Sequence, residues 1–219
     1  MFSGVLQTSI VKRAIEKGKV TVNMINLRDF GIGNHKTVDD KPYGGGVGMV
    51  LKVDVMHAAI EQAKKANKDT KVVLLDPRGI PFSQAVAEEL SQLPSITLLC
   101  GHYEGYDERI REYIDIEISM GDFVLTGGEI PAMAILDSVT RLIPGVLGKD
   151  ESSRNESFSK DELGKRILEH PQYTRPQIFK NAKVPAELLS GDHKKVKATR
   201  EKEAIRITQN TRPDLLEDN

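Results

Sequence analysis

From Val53 to Ile143, short β-branched and leucine-rich runs alternate with segments of helical spacing, and this alternation constrains the fold more than any other feature. Val53, Met56, His57, Ile60 and Ala63 recur at the helical period, which predicts a helix over 53–66. Val72–Leu75 reads as a strand closed by a turn at Asp76-Pro-Arg-Gly79, Ser83 as the N-cap of a helix over 84–92, and Ile96–Cys100 as the next strand. A helix over 107–113, a strand over 114–118 and a helix over 130–143 continue the series. Strands separated by helices at this spacing are connected by crossovers, so they form a parallel sheet covered on both faces. The expected class is α/β over roughly 1–145. Upstream, the spacing predicts a helix over 2–16 stopped by Gly18, a strand over 20–27, and a long polar, glycine-rich loop over 28–48. Beyond Pro144-Gly145 the pattern stops. A charged, serine-bearing linker leads to helices over 184–190 and 193–209 in a small C-terminal domain.

Composition narrows the class of function. Hydrophobic residues at 39% and charged residues at 29% exclude fibrous and wholly disordered chains. No run approaches about 18 apolar residues, and the N-terminus lacks a basic region followed by an apolar one. Neither a membrane span nor a signal peptide is expected, and the reading is cytoplasmic. The single cysteine, Cys100, ends an apolar strand and reads as a buried, inert thiol. No Cys/His cluster has zinc spacing, so no metal ligand is assigned. A net charge of −1 makes no global case for nucleic acid. His193–Arg206, with six basic residues against two acidic, fits either a phosphate-facing stripe or a solvated helix face.

Ligands of open α/β sheets bind outside the carboxyl ends of the strands. Three glycine-bearing loops fall at such ends: Asp76–Gly79, Gly101–Gly105 and Ser119–Glu129. Each could be an ordinary turn, but three in succession suit close backbone approach to a flat purine or small cofactor. Gly44-Gly-Gly-Val-Gly48 lacks the Lys-Ser/Thr ending of a P-loop, and neither a dinucleotide fingerprint nor a G-x-S-x-G elbow is present. By default His57 is structural, Arg141 complements a helix end, and Glu156 is a solvated carboxylate.

Six strings carry more than this. Lys36-Thr-Val-Asp-Asp-Lys-Pro-Tyr-Gly-Gly-Gly-Val-Gly-Met49, Cys100-Gly-His-Tyr-Glu-Gly-Tyr-Asp-Glu-Arg109, Gly121-Asp-Phe-Val-Leu-Thr-Gly-Gly-Glu-Ile-Pro-Ala-Met133, Asp137-Ser-Val-Thr-Arg-Leu-Ile-Pro-Gly-Val-Leu147, His170-Pro-Gln-Tyr-Thr-Arg-Pro176 and Val184-Pro-Ala-Glu-Leu-Leu-Ser-Gly-Asp-His193 occur in this order. Together they closely resemble the bacterial tRNA (guanine-N1)-methyltransferases of the TrmD family, across essentially the whole chain. The resemblance implies a SPOUT fold whose parallel sheet carries a C-terminal trefoil knot, with S-adenosylmethionine as methyl donor. It also implies a homodimer with its active site at the subunit interface, and methylation of the guanine just 3′ of the tRNA anticodon. It divides the chain into a donor-binding domain over 1–147, a flexible linker over 148–166 and a small helical tRNA-binding domain over 167–219. Nothing in periodicity indicates a knot, which general topology rules disfavour.

Carried over by position, the donor-binding residues are Pro77, Gly101, Tyr103, Glu104, Gly105, Met120, Gly121, Asp122, Phe123, Val124, Leu125, Gly127 and Gly128. The arginine that would stabilise charge on the guanine carbonyl is Arg141, and the base that would take the nitrogen proton stands at Glu156. Glu169, Lys194, Lys195 and Arg200 would face the tRNA, with Mg²⁺ as a further candidate near Glu104, Glu156 and Glu169. The sequence departs from the family where Glu156-Ser-Phe158 stands for Asp-Ser-Phe, which moves the carboxylate by about 1 Å. Ser159–Arg166 is longer than its counterpart, leaving Asp161 as a weaker substitute base. Family members begin with another strand and often extend further at the C-terminus, so an exposed sheet edge is expected here. Two other readings stand beside the enzyme: an impaired donor- or tRNA-binding homologue, and an α/β protein for another adenine nucleotide.

Overall fold

The computed structural model describes residues 1–148 and 156–217, and the chain divides into two compact units, Met1–Leu147 and Gly148–Asn219. The first unit opens with helices α1 (Phe2–Leu6) and α2 (Ser9–Glu16) rather than one continuous helix. Thr8 breaks the run: its backbone is extended, and its hydroxyl donates back to the Gly4 carbonyl at 2.7 Å. The expected strand over 20–27 is absent. Its residues join none of the sheets, and without a ladder partner an alternating sequence has nothing to hold it extended. The loop expected over 28–48 contains a short 3₁₀ turn, Leu27–Phe30, and the strand β1 (Asp39–Asp40), which pairs antiparallel with β2 (Val50–Leu51).

Helix α3 (Val53–Ala66) forms where its periodicity places it, burying Val55, Met56, Ala59, Ile60 and Ala63 on one stripe. The strand β3 (Lys71–Pro81) follows, then α4 (Gln84–Ser91), whose N-cap Ser83 accepts from the Val86 amide at 3.4 Å. Next come β4 (Ile96–Leu99), a 3₁₀ segment Glu108–Tyr113 in place of the expected α-helix, and β5 (Ile116–Ser119). Helix α5 (Glu129–Thr140) closes the unit; its Pro131 lies in the first turn, where a missing amide proton costs nothing. The sheet is three-stranded and parallel, in the order β4-β3-β5.

Strand β3 alternates between two cores. Val72 and Leu74 pack with Val55, Met56 and Ile60 of α3, whereas Val73 and Leu75 pack with Ala87 and Leu90 of α4 and Ala132, Ile135 and Val139 of α5. Burying each such aliphatic side chain contributes roughly 1.5–3 kcal/mol, so this doubly buried strand anchors the unit. Its centre is interrupted. Leu75 and Ile80 both align with Ile118 of β5, so Asp76–Gly79 is an excursion within a strand and not the closing turn expected from sequence. The strand re-pairs at Ile80–Pro81 because Gly79 lets the returning chain lie against the Glu117–Ile118 backbone, where any Cβ would collide.

The second unit was expected to be helical, but hairpins accompany its helix. Strands β6 (Ser159–Lys160) and β7 (Arg166–Ile167) form one, β8 (Ile178–Phe179) and β9 (Ala182–Lys183) the other. A 3₁₀ turn over Ala186–Leu189 stands for the helix expected over 184–190, and α6 (His193–Thr211) follows. Thr208 of α6 is fully buried and accepts from the Leu168 amide at 2.9 Å, tying β7 to the helix. Part of the expected linker, 149–155, lies outside the described residues.

Candidate functional site

The three glycine-bearing loops emerge from three neighbouring strands of one parallel sheet: Asp76–Gly79 from β3, Gly101–Gly105 after β4, and Met120–Gly128 after β5. Pro77, Gly101, Tyr103, Glu104, Gly105, Met120–Leu125, Gly127 and Gly128 therefore gather at one end of the sheet. Backbone bonds join the last two loops: Gly128 N donates to Gly101 O at 2.8 Å, and His102 bridges antiparallel to Gly127. This approach requires glycine at 128, where a Cβ would lie 2.7 Å from Cys100 Cα and 2.8 Å from Gly101 N.

The Gly101–Gly105 loop is also bound to β2. Glu104 N donates to Met49 O and Leu51 N to Gly105 O, both at 3.0 Å. This places the Glu104 side chain where a Cβ on Gly48 would stand, so the glycine-rich segment before β2 borders the same loops. Tyr103, Phe123, Val124 and Leu125 remain exposed on them, Val124 at 94%. Cys100, beneath the loops, has its thiol pushed up to about 12 by burial and by the nearby Glu129 carboxylate, so it is no nucleophile at neutral pH.

Sequence reasoning missed a charged cluster at the stems of these loops. Asp76, its side chain 9% exposed, accepts a hydrogen bond from the Tyr106 hydroxyl, from Arg78 N at 2.8 Å and from Arg78 Nε at 3.1 Å; Arg111 Nη2 lies 3.4 Å away. Burial would raise the Asp76 carboxyl, but the bonds from Tyr106 and Arg78 outweigh it and hold the group below its ordinary value. Burial and the adjacent carboxylate push Tyr106 up, so the shared proton stays on the phenol. Arg111 donates to the Tyr106 oxygen at 3.0 Å, lies over its ring, and pairs with Glu117 of β5 and, at 2.8 Å, with Glu108. Asp76 directly before Pro77 was the available signal. Arg78 is local, but Tyr106 and Arg111 lie 30 and 35 residues away in the chain, beyond the reach of local spacing.

Arg141 sits at the C-cap of α5 and belongs to the first unit; Glu156 and Glu169 belong to the second. There the Glu156 carbonyl accepts from Ser159 N at 3.1 Å and Ser159 Oγ at 2.7 Å, making a tight turn into β6. The Glu169 amide donates to Ser157 Oγ at 3.0 Å, so both glutamates belong to one end of the β6–β7 hairpin. Asp161 accepts from Leu163 N and Lys165 N at 2.9 and 2.8 Å, so its carboxylate organises the hairpin turn. Lys194, Lys195 and Arg200 lie exposed on the first two turns of α6, whose N-cap Asp192 accepts from the Lys194 and Lys195 amides. Lys197 and Arg206 pair with Glu201 and Glu203, whereas Lys194, Lys195 and Arg200 have no acidic partner among the described residues. No group of three or more His, Cys, Asp and Glu among the described residues could hold a metal ion, and no described helix is long and apolar enough to cross a membrane.

Residues 1–218 match the family model described as tRNA (Guanine-1)-methyltransferase TrmD. Among curated relatives, a tRNA (guanine-N(1)-)-methyltransferase of Staphylococcus epidermidis is 52% identical over 99% of this chain and 86% of its own length. Proteins of the same name from Geobacillus kaustophilus and Geotalea uraniireducens are 52% and 50% identical, over all of this chain and 88% and 87% of theirs.

Proposed function

Because the chain belongs to the TrmD family of tRNA (guanine-1)-methyltransferases, we propose that its three sheet-end loops bind S-adenosylmethionine and that Arg141 and Glu156 act on the target guanine. The chain is a methyltransferase that modifies N1 of guanine in tRNA. The guanine is the one immediately 3′ of the anticodon, the working form is a homodimer with the site at the subunit interface, and the setting is the cytoplasm. The loops are those of a SPOUT trefoil knot, a reading that rests on membership of the TrmD family.

The chemistry of the loops fits this donor. Residues 100–105 and 119–129 carry no Lys or Arg but do carry Glu104, Asp122 and Glu129, and Arg78 is engaged by Asp76 and Glu108. A polyphosphate nucleotide would need cations there, whereas a cationic nucleoside without phosphates is suited by carboxylates, backbone amides and exposed apolar side chains. That charge balance is the observation that carries the reading. It also disfavours a site for ATP.

When bound, the donor supplies an electrophilic methyl group on a sulfonium. The guanine nitrogen still bears a proton, and the Glu156 carboxylate receives it, while Arg141 stabilises the negative charge that develops on the neighbouring carbonyl oxygen. A stacked base offers its edge to neither group, so the guanine is flipped out of the anticodon loop. Lys194, Lys195 and Arg200 meet the tRNA backbone, with Glu169 beside the Glu156 turn. Cations in the first turn of a helix oppose its dipole, and a phosphate contact would offset that cost. No cluster of His, Cys, Asp and Glu among the described residues fits a resident Mg²⁺.

The test is transfer from labelled S-adenosylmethionine to two tRNA transcripts differing only in guanine or adenine 3′ of the anticodon. Methylation of the first alone is expected, and Glu156→Gln should lower kcat by roughly 10²–10⁴. Transfer to both or neither, or full activity in Glu156→Gln, would overturn the assignment.

A further inference from the structure

The Asp76 cluster joins the stems of all three loops. Asp76 begins the excursion that carries Pro77, Tyr106 directly follows the Gly101–Gly105 loop, and Glu117 lies on the strand that leads into Met120–Leu125. Backbone bonds tie the Gly101–Gly105 loop to Met49, Leu51 and Gly128, but the side chains at the tips stay open: Tyr103 is 47% exposed and Phe123 56%. Loops of this kind lose conformational entropy on binding unless their stems are already fixed.

We propose that Tyr106 is a positioning residue for the donor: its hydroxyl, bonded to Asp76 and to Arg111, which pairs with Glu117, locks the three loop stems into the geometry that binds the donor. This rests on the reading that those loops hold S-adenosylmethionine. The cluster has the properties such a lock needs. Its bonds are charge-assisted and half-buried, hence short and directional. It involves no residue at the loop tips, so it can shape the site without touching the donor. An apolar substitute of similar volume could match it in stability, because desolvation cancels much of the gain from half-buried ion pairs, but could not fix the relative register of three separate backbones.

Tyr106→Phe removes one oxygen and keeps the ring under Arg111. The donor Kd, measured by titration calorimetry, and the donor KM should both rise about tenfold, equivalent to about 1.4 kcal/mol. At saturating donor, kcat and the KM for tRNA should stay within about twofold, since the chemical groups are untouched. Asp76→Asn, which keeps an acceptor for the hydroxyl, should weaken donor binding less than Asp76→Ala. A donor Kd unchanged in Tyr106→Phe, or a fall in kcat with unchanged donor KM, overturns the proposal while leaving the donor site standing. A wild-type protein that binds no S-adenosylmethionine overturns both.

Discussion

Gly101 and Gly128 face each other across one hydrogen bond, yet the structure assigns them opposite tolerance to a methyl group. A Cβ on Gly128 would lie 2.7 Å from Cys100 Cα and 2.8 Å from Gly101 N, both rigid backbone atoms at the end of β4. A Cβ on Gly101 would meet only Tyr106 ring carbons, at 3.7 and 3.8 Å, which is ordinary contact. Gly128 has φ −80°, so alanine there suffers no backbone strain and the cost is steric. Overpacking of this kind costs roughly 1–3 kcal/mol. At about 2–4 °C per kcal/mol for a chain of this size, the thermal midpoint of Gly128→Ala should lie roughly 2–12 °C below that of Gly101→Ala. Both variants share the gain of about 0.4–1 kcal/mol from a stiffer unfolded chain, so their difference isolates the clash. Gly101→Ala should leave the midpoint unchanged or slightly raised. Scanning calorimetry of the two variants with and without S-adenosylmethionine is the assay, and the donor-induced shift should shrink in Gly128→Ala as the Gly101–Gly105 loop is displaced. Equal midpoints for the two variants would refute the reasoning.

Thr208→Val keeps the shape of a fully buried side chain but leaves the Leu168 amide unpartnered, which should cost roughly 1–3 kcal/mol in urea unfolding, with Thr208→Ser retaining most of it; a valine variant as stable as wild type would show that the bond is dispensable. Burial would raise Asp115, but the Val72 amide and Lys71 hold it below its ordinary 3.8, so its contribution is complete above that value and disappears as pH falls through the lower folded value. Asp115→Asn should therefore lose less stability than wild type between pH 5 and about pH 2, read from urea midpoints across that range; parallel curves would exclude the linkage. With its thiol near 12, Cys100 should resist iodoacetamide at pH 8 in the folded protein and react freely in urea, as mass spectrometry would show; rapid labelling of the native chain would contradict its burial.

Local chemistry made much of the first unit readable. The stripe of α3, the Ser83 cap of α4 and the apolar run of β4 each lie within a few residues, and each formed as the spacing predicted. The six motifs, in order along the chain, carried the family and its reaction, because a motif is read from residue order and needs no coordinates. The α/β class with its parallel sheet, and the activity, were thus legible in the sequence alone. Partners that meet only in three dimensions decided the rest. Val20–Leu27 alternates like a strand yet pairs with nothing described, and Asp76–Gly79 looks like a terminal turn yet returns to its own strand because β5 is there to receive it. Asp161 reads as a spare acid and instead builds a hairpin turn. The bond between Tyr106 and Asp76 spans 30 residues and lies on no helix or strand period. Periodicity reports what a residue does with its near neighbours, whereas the alignment of three loop stems at one sheet edge is a property of packing, which only the tertiary structure supplies.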